Sequence, residues 1–319
     1  MASNISKREW ICWAGDFARE DTSTLVLSAP SSAFVDLRIL QPSTPAPSPS
    51  PEPNSSQPSQ SPTLPRPRSP PLPNTGGPVH RLDWAFAGFS QSFPSNYDIH
   101  GVTHKKWVHV IDSRCGYDDE GTRDEGDMWE RGGGYSLESG VMKHPNRQVE
   151  VAYQEMWKDV AIRTVNNEPL HYAVVLSHHN PKLKSRGMIV RVGQYCQGIL
   201  MLDREVTVER WECGTEDEAI YPSRGRAIER HFYQPPQGEQ SSRSRPPSPL
   251  KQVMVPGDVE ERAETETAAG TKWRRTVKLG SRFLPCVWTF EGAKLELGDK
   301  MMGPGGEEEL WEVKEIRAW

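Results

Sequence analysis

The sequence predicts an all-β protein made of two related halves. Three observations predict it. Short runs rich in Val, Leu and aromatic residues follow one another along the chain, with no convincing long amphipathic helix. The second half repeats a pattern of the first. Two Pro- and Ser-rich stretches stand apart from the strand-forming parts. Several runs alternate apolar with polar residues, which suits a pleated surface with one buried face. Many short strands divided by turn residues define a barrel or a sandwich.

The first runs are STLVLSA (Ser23–Ala29) and AFVDLRIL (Ala33–Leu40). Half of the chain's 28 prolines then fall between Gln41 and Pro78, with no aromatic residue among them. Such a stretch buries too little apolar surface to offset the entropy of ordering it. Strand pattern resumes at HRLDWAFAGFSQSF (His80–Phe93), where Trp84, Phe86, Phe89 and Phe93 sit among small residues. KWVHVID (Lys106–Asp112) and QVEVAYQEMW (Gln148–Trp157) complete the first half. The second half runs through HYAVVLSH (His171–His178), GMIVRVGQYCQGILML (Gly187–Leu202) and EVTVERWE (Glu205–Glu212). A second Pro, Ser, Gln and charge-rich loop spans about 234–270. RRTVKLG (Arg274–Gly280), KLELGD (Lys294–Asp299) and LWEVKEIRAW (Leu310–Trp319) follow.

The repeat is carried by YSLESGVMKHP (Tyr135–Pro145) and AKLELGDKMMGP (Ala293–Pro304). Both read Leu-Glu-x-Gly and then Met-x-x-Pro. Trp129 and Trp288 precede them, and Trp157 and Trp311 follow among carboxylates. The repeat predicts two homologous domains, 1–165 and 166–319, with Leu137 falling on Leu295 and Trp157 on or beside Trp311. Glu138 and Glu296 then share a structural role. The stretch 41–78 becomes a disordered insertion in a loop of the first domain, tolerated because closure entropy grows by only about 0.6 kcal/mol per doubling of loop length. Trp84, Phe86, Gly88 and Phe89 are the core resuming after it. Trp157, Tyr195, Gly198 and Trp311 are the other core candidates. Without the two low-complexity stretches, roughly 245 residues remain, enough for two domains of common size.

The hydrophobic fraction is 35%, the net charge −5 and the pI about 6.0. No basic stripe runs along the chain, and the Arg-rich spots (Arg66 and Arg68, Arg243 and Arg245) lie inside the low-complexity stretches. Nucleic acid is therefore not an expected partner. No apolar run approaches the ~18 residues of a membrane-spanning helix, so no membrane insertion is expected. MASNISKREWICW lacks a signal-peptide core and a myristoylation pattern, which implies an intracellular chain. The five cysteines (Cys12, Cys115, Cys196, Cys213, Cys286) are scattered without a C-x-x-C, as free thiols of a reducing compartment are. The sequon at Asn54 is then unused.

Chemistry-bearing motifs are sparse. There is no G-x-S-x-G, H-E-x-x-H, Walker loop or G-x-G-x-x-G. RGGGYS (Arg131–Ser136) lacks the Lys and helix of a phosphate cradle and reads as a turn. His100, His104 and His109 are spaced so that His109 leaves the face the other two share. His178-His179, before Asn180-Pro181, reads as a hairpin turn. YDDEGTRDEGDMWE (Tyr117–Glu130) fits no calcium-loop frame and reads as a solvated acidic loop. No metal, cofactor or catalytic set is expected. Ser48, Ser50, Ser61, Ser69 and Ser248 each precede Pro and are phosphorylation candidates. PRSPPLP (Pro67–Pro73) can form a polyproline II ligand.

LDWAFAG (Leu82–Gly88), the Glu155-Met156-Trp157 strand end, VRVGQYCQGIL (Val190–Leu200) and LWEVKEI (Leu310–Ile316) resemble the fungal Hri family. The resemblance runs in order through nearly all the strand-forming residues, and Trp-Ala-Phe-Ala-Gly is its most specific part. It implies two lipocalin-like antiparallel β-barrels in tandem, an intracellular setting in the cytoplasm and also the nucleus, and a casein-kinase-I-type protein kinase as partner. The Pro/Ser arm and the 234–270 loop are additions to the family's compact pattern. The family carries no settled enzymatic activity. The first reading is thus a non-enzymatic interaction protein. The alternatives are a carrier or sensor of a small apolar ligand held in a barrel, and a lipocalin-like isomerase or cyclase. A cavity of roughly 300 Å³ or more would favour a ligand, and a buried ionisable group of perturbed pKa in a cavity would favour an enzyme.

Overall fold

Alternation at period two decides which side of each strand is covered, and here both sides of several strands are. The computed structural model describes residues 2–41, 71–94, 101–119, 121–145, 147–165, 170–214, 264–266 and 272–319. The first eight strands are β1 (Asn4–Trp13), β2 (Thr22–Ser28), β3 (Ala33–Leu40), β4 (Leu82–Pro94), β5 (Val102–Asp112), β6 (Asp124–Gly132), β7 (Tyr135–Lys143) and β8 (Glu150–Asp159). Each pairs antiparallel with the next, and β8 returns to β1 with Trp157 opposite Arg8, so the sheet closes into a barrel. Closure leaves no free edge. The Gly-rich run turns between β6 and β7, with Gly132, Gly133 and Gly134 at φ of +75°, +64° and +78°.

The second sheet uses β9 (Tyr172–Asn180), β10 (Ser185–Val192), β11 (Tyr195–Leu202), β12 (Glu205–Cys213), β13 (Glu264–Glu266), β14 (Lys272–Leu279), β15 (Lys300–Gly303) and β16 (Gly306–Ala318). Their order is β13-β14-β12-β11-β10-β9-β16-β15. Here too the last long strand folds back on the first, with Trp311 opposite His178. The sheet does not close, however, and the expected second barrel is an open eight-stranded sheet. The reason lies between β14 and β15, where KLELGD forms no strand. The chain takes 3-10 turns at Cys286–Thr289 and Gly292–Lys294 instead. These turns lay Leu284, Cys286 and Phe290 over the sheet's inner face, and Phe290 stacks on Trp273 at 4.1 Å.

The repeat is therefore looser than its residues suggest. Leu137 and Glu138 are buried in β7. Leu295 and Glu296 precede β15 in a turn, where Glu296 is exposed. Trp157 and Trp311 do occupy corresponding last strands.

Between the sheets lies the largest apolar cluster. Leu25, Leu27, Val35, Leu37 and Ile39 point out of the barrel and pack with residues such as Val175, Met188, Val190, Ile199 and Val208 of the second sheet. Two polar side chains cross this contact. Gln197 donates to the carbonyls of Leu25 (2.9 Å) and Val35 (3.1 Å). Arg210 donates to Gln197 Oε1 (2.7 Å) and to the Leu37 carbonyl (2.9 Å).

Two boundaries differ from expectation. The low-complexity arm was expected to reach Pro78, but its last residues join the second sheet. Lys278 N–H donates to the Pro73 carbonyl at 2.9 Å, and Gly280 N–H to that of Gly77 at 2.9 Å. Asn74 also exchanges hydrogen bonds with Arg275. These residues occupy the β14 edge beyond the point where β13 ends, so unpaired backbone groups explain the docking. Likewise Glu264–Glu266, inside the expected 234–270 loop, form β13 against Lys272–Arg274.

Candidate functional site

The barrel lumen is where the inward half of each alternation meets, and it is charged. Strand β3 shows how this arises. Val35, Leu37 and Ile39 face the second sheet, which forces Phe34, Asp36 and Arg38 inward. Arg8 and Arg38 both bond Glu155 Oε1, at 2.5 and 3.0 Å. Arg8 also holds Glu20 at 2.7 Å, and Arg38 holds Asp36 Oδ2 at 3.0 Å. Burial opposes ionisation of Glu155, but the two guanidiniums outweigh it and lower its pKa. For Asp36 burial wins, and its pKa is raised. Arg38 also lies 4.9 Å from the Trp84 ring centre.

A second cluster adjoins the first. His109 stacks on Phe86 at 4.1 Å, with Nδ1 at 3.0 Å from Asp112 and Nε2 at 3.1 Å from Asp124. Burial lowers the His109 pKa, but the hydrogen bonds to both aspartates raise it by more. Asp112 accepts from His109, Thr122, the Arg114 backbone and the Trp84 indole, which together overcome burial and bring its pKa down to about 2. Glu138 accepts from Tyr153 Oη at 2.7 Å and from Trp157 Nε1 at 2.9 Å. Burial, with the charges of Glu155 and Asp124, pushes Glu138 up to about 8. The lumen retains a cavity of about 90 Å³ whose lining includes Phe34, Asp36, Phe86, Trp107, Glu138 and Trp157. That is well below the ~300 Å³ of a usual small-molecule pocket, and the walls are not apolar.

Of the core candidates, Trp84, Phe86, Trp157 and Trp311 are buried. Gly88 is buried opposite His109, where an added Cβ would fall 1.9 Å from the Val108 carbonyl oxygen. Gly198 is buried against Ile189 and Cys286. Tyr195 is only half-buried, because its hydroxyl reaches out to Glu212 at 2.8 Å. Phe89, read as core with Trp84, is 44% exposed, and Phe93 is 45% exposed. They lie on the outer face of β4, beyond the part that the second sheet covers. Phe89 pairs with Val108, 38% exposed, and exposed Val110 follows.

The histidines separate. His104 meets Asp127 at 3.1 Å and is half-exposed, His109 is in the lumen, and His100 lies outside the described residues. His178 is not in a turn but in β9, buried between the Leu310 carbonyl and Ser185 Oγ, both at 2.9 Å. The acidic loop is not wholly solvated. Asp124 is buried, while Asp118 pairs with Lys184 and Asp119 with Arg204 of the second sheet. Ser48, Ser50, Ser61, Ser69 and Ser248 lie outside the described residues. Sequence reasoning missed Arg8, Asp36, Arg38 and Glu155, and gave Glu138 a structural role without its place in the lumen. The available signal was a charged pair two residues apart, Asp36 and Arg38, inside an otherwise apolar strand.

A closed barrel with a salt-bridged lumen, backed by an open eight-stranded sheet, defines a β-protein class without a standard catalytic constellation among the described residues. Residues 4–315 match the family model of Protein HRI1, and the chain belongs to that family. The crystal structure of the uncharacterized protein YLR301w from Saccharomyces cerevisiae is similar. It has a TM-score of 0.55 and 15% identity, covering 99% of this chain and 100% of that one. No curated protein matches the chain.

Proposed function

We propose that this HRI1-family protein is a non-enzymatic interaction protein that binds its partner through the outer face of the barrel. The observation that carries the reading is the strip of Phe89, Phe93, Val108 and Val110, large apolar side chains exposed on neighbouring strands. Apolar side chains grouped on a surface mark contact sites. The lumen supports the same reading by default. Its walls are occupied by ion pairs, and a space of about 90 Å³ does not suit an apolar cargo. Glu138, whose pKa burial raises to about 8, has both oxygens engaged by Tyr153 and Trp157, which favours a structural over a catalytic role.

The partner proposed from the family resemblance is a casein-kinase-I-type kinase, met in the cytoplasm and nucleus. None of the five cysteines is in a disulfide, in keeping with such compartments. Phosphate on Ser48, Ser50, Ser61, Ser69 or Ser248 would add about −1.5 to −2 charges each and tune the encounter. Both sheets are also read as relatives of lipocalin barrels. The support is that β16 returns to β9 as β8 returns to β1.

The test is a pull-down of such a kinase with the full chain, a Phe89→Ser/Phe93→Ser variant and a variant with the five serines changed to Ala. The strip variant should lose at least about tenfold in recovery, as loss of aromatic anchors does, with its melting point little changed. Equal recovery by wild type and strip variant, or none by wild type, would contradict the proposal.

A further inference from the structure

Asp36 holds an acceptor that the fold leaves unused. The residue is 2% exposed, and its Oδ2 takes Arg38. Its Oδ1 is buried with no hydrogen-bond partner among the described residues, and Asp36 lines the lumen cavity. Glu155 Oε2, in the same network, is a second such acceptor. An unpaired buried acceptor is costly, and more so when charged. Beside a cavity, such an acceptor can take a donor that enters the space.

The rest of the wall says which donor. Four rings, those of Phe34, Phe86, Trp107 and Trp157, line the cavity, and aromatic faces carry negative potential. Asp124 and Glu138 add carboxyl groups from β6 and β7. Arg38 is already engaged by Asp36, Glu155 and the Trp84 ring. Lys105 is the other cation on the wall, and it is half-exposed. Its long stem can carry the ammonium head out to water.

We propose that the lumen of the barrel binds a small organic ammonium ion, with its charge on Asp36 and its substituents against Phe34, Phe86, Trp107 and Trp157. The size follows from the volume. A water position takes about 10–15 Å³, so about 90 Å³ admits a ligand of roughly six non-hydrogen atoms. An anion of the same size would have to sit against the unpaired Asp36 oxygen. This site stands apart from the outer strip and does not depend on it.

The test follows the indole N–H signals of Trp107 and Trp157 in 1H–15N spectra. The probes are tetramethylammonium chloride, methylammonium chloride and sodium acetate at constant ionic strength. The expected result is a saturable shift with at least one ammonium salt and none with acetate. Asp36→Asn should weaken the ammonium response at least about tenfold, as loss of a charge-assisted contact does. Lys105→Gln, at a half-exposed position, should tighten it about threefold by removing a competing cation. The proposal is overturned by no saturable shift with either ammonium salt, by saturation with acetate, by weaker ammonium binding in Lys105→Gln, or by an unchanged response in folded Asp36→Asn.

Discussion

Glu138 takes a hydrogen bond on each carboxyl oxygen, yet burial beside Glu155 and Asp124 holds its pKa near 8. The unfolded chain releases this proton near the ordinary 4.5. Between those values the folded state binds one proton more, so stability falls as pH rises through that window. Glu138→Gln stays neutral, and its amide can donate to Tyr153 Oη. Its urea midpoint should therefore drop less than wild type between pH 5 and 8, by an amount worth about 2–4 kcal/mol. His109, whose folded pKa is raised, also gives stability at low pH that is lost as pH rises past its folded value, but it does so in both proteins. Parallel pH profiles would show that Glu138 is already ionised in the native state. The protonation was not legible in the sequence, because Asp36, Arg38 and Glu138 sit on strands with buried apolar residues on both faces. Alternation shows that two faces differ, not which one lines a lumen.

At the scale of elements, the arm divides at about residue 71. Residues 71–77 hydrogen-bond the β14 edge through Pro73, Asn74, Gly76 and Gly77. Replacing 42–70 by about ten Gly and Ser residues should shift the melting point by a few degrees at most, since loop length enters only logarithmically. Extending the replacement through 77 removes that ladder and should cost a further 2 kcal/mol or so, at about 0.5–1.5 kcal/mol per bond. Thermal melts of the two variants decide this, and equal melting points would mean the edge contact contributes nothing. The long strands were readable from Val, Leu and aromatic alternation, as in AFVDLRIL and QVEVAYQEMW. KLELGD was not, because it follows a 3-10 turn at Gly292–Lys294 and of its two leucines only Leu295 packs on the core, while Leu297 is exposed. Three-residue β13 carries too short a pattern to be seen within a charged loop.

For the whole molecule, the repeat in the sequence implied two barrels, and the structure has one closed barrel and one open eight-stranded sheet. The repeat could not show that the sheets share their apolar faces. Leu25, Leu27, Val35, Leu37 and Ile39 are a barrel's exterior, yet they belong to the same cluster as Val175, Val190 and Val208. Gln197 and Arg210 close that contact with hydrogen bonds to first-sheet carbonyls. Separating the sheets would expose this apolar face and strand those polar groups, so neither sheet should persist once the other unfolds. Differential scanning calorimetry of the full chain tests this most directly. The account predicts one transition, with calorimetric and van't Hoff enthalpies equal. Two resolved transitions, or a van't Hoff enthalpy near half the calorimetric one, would contradict it.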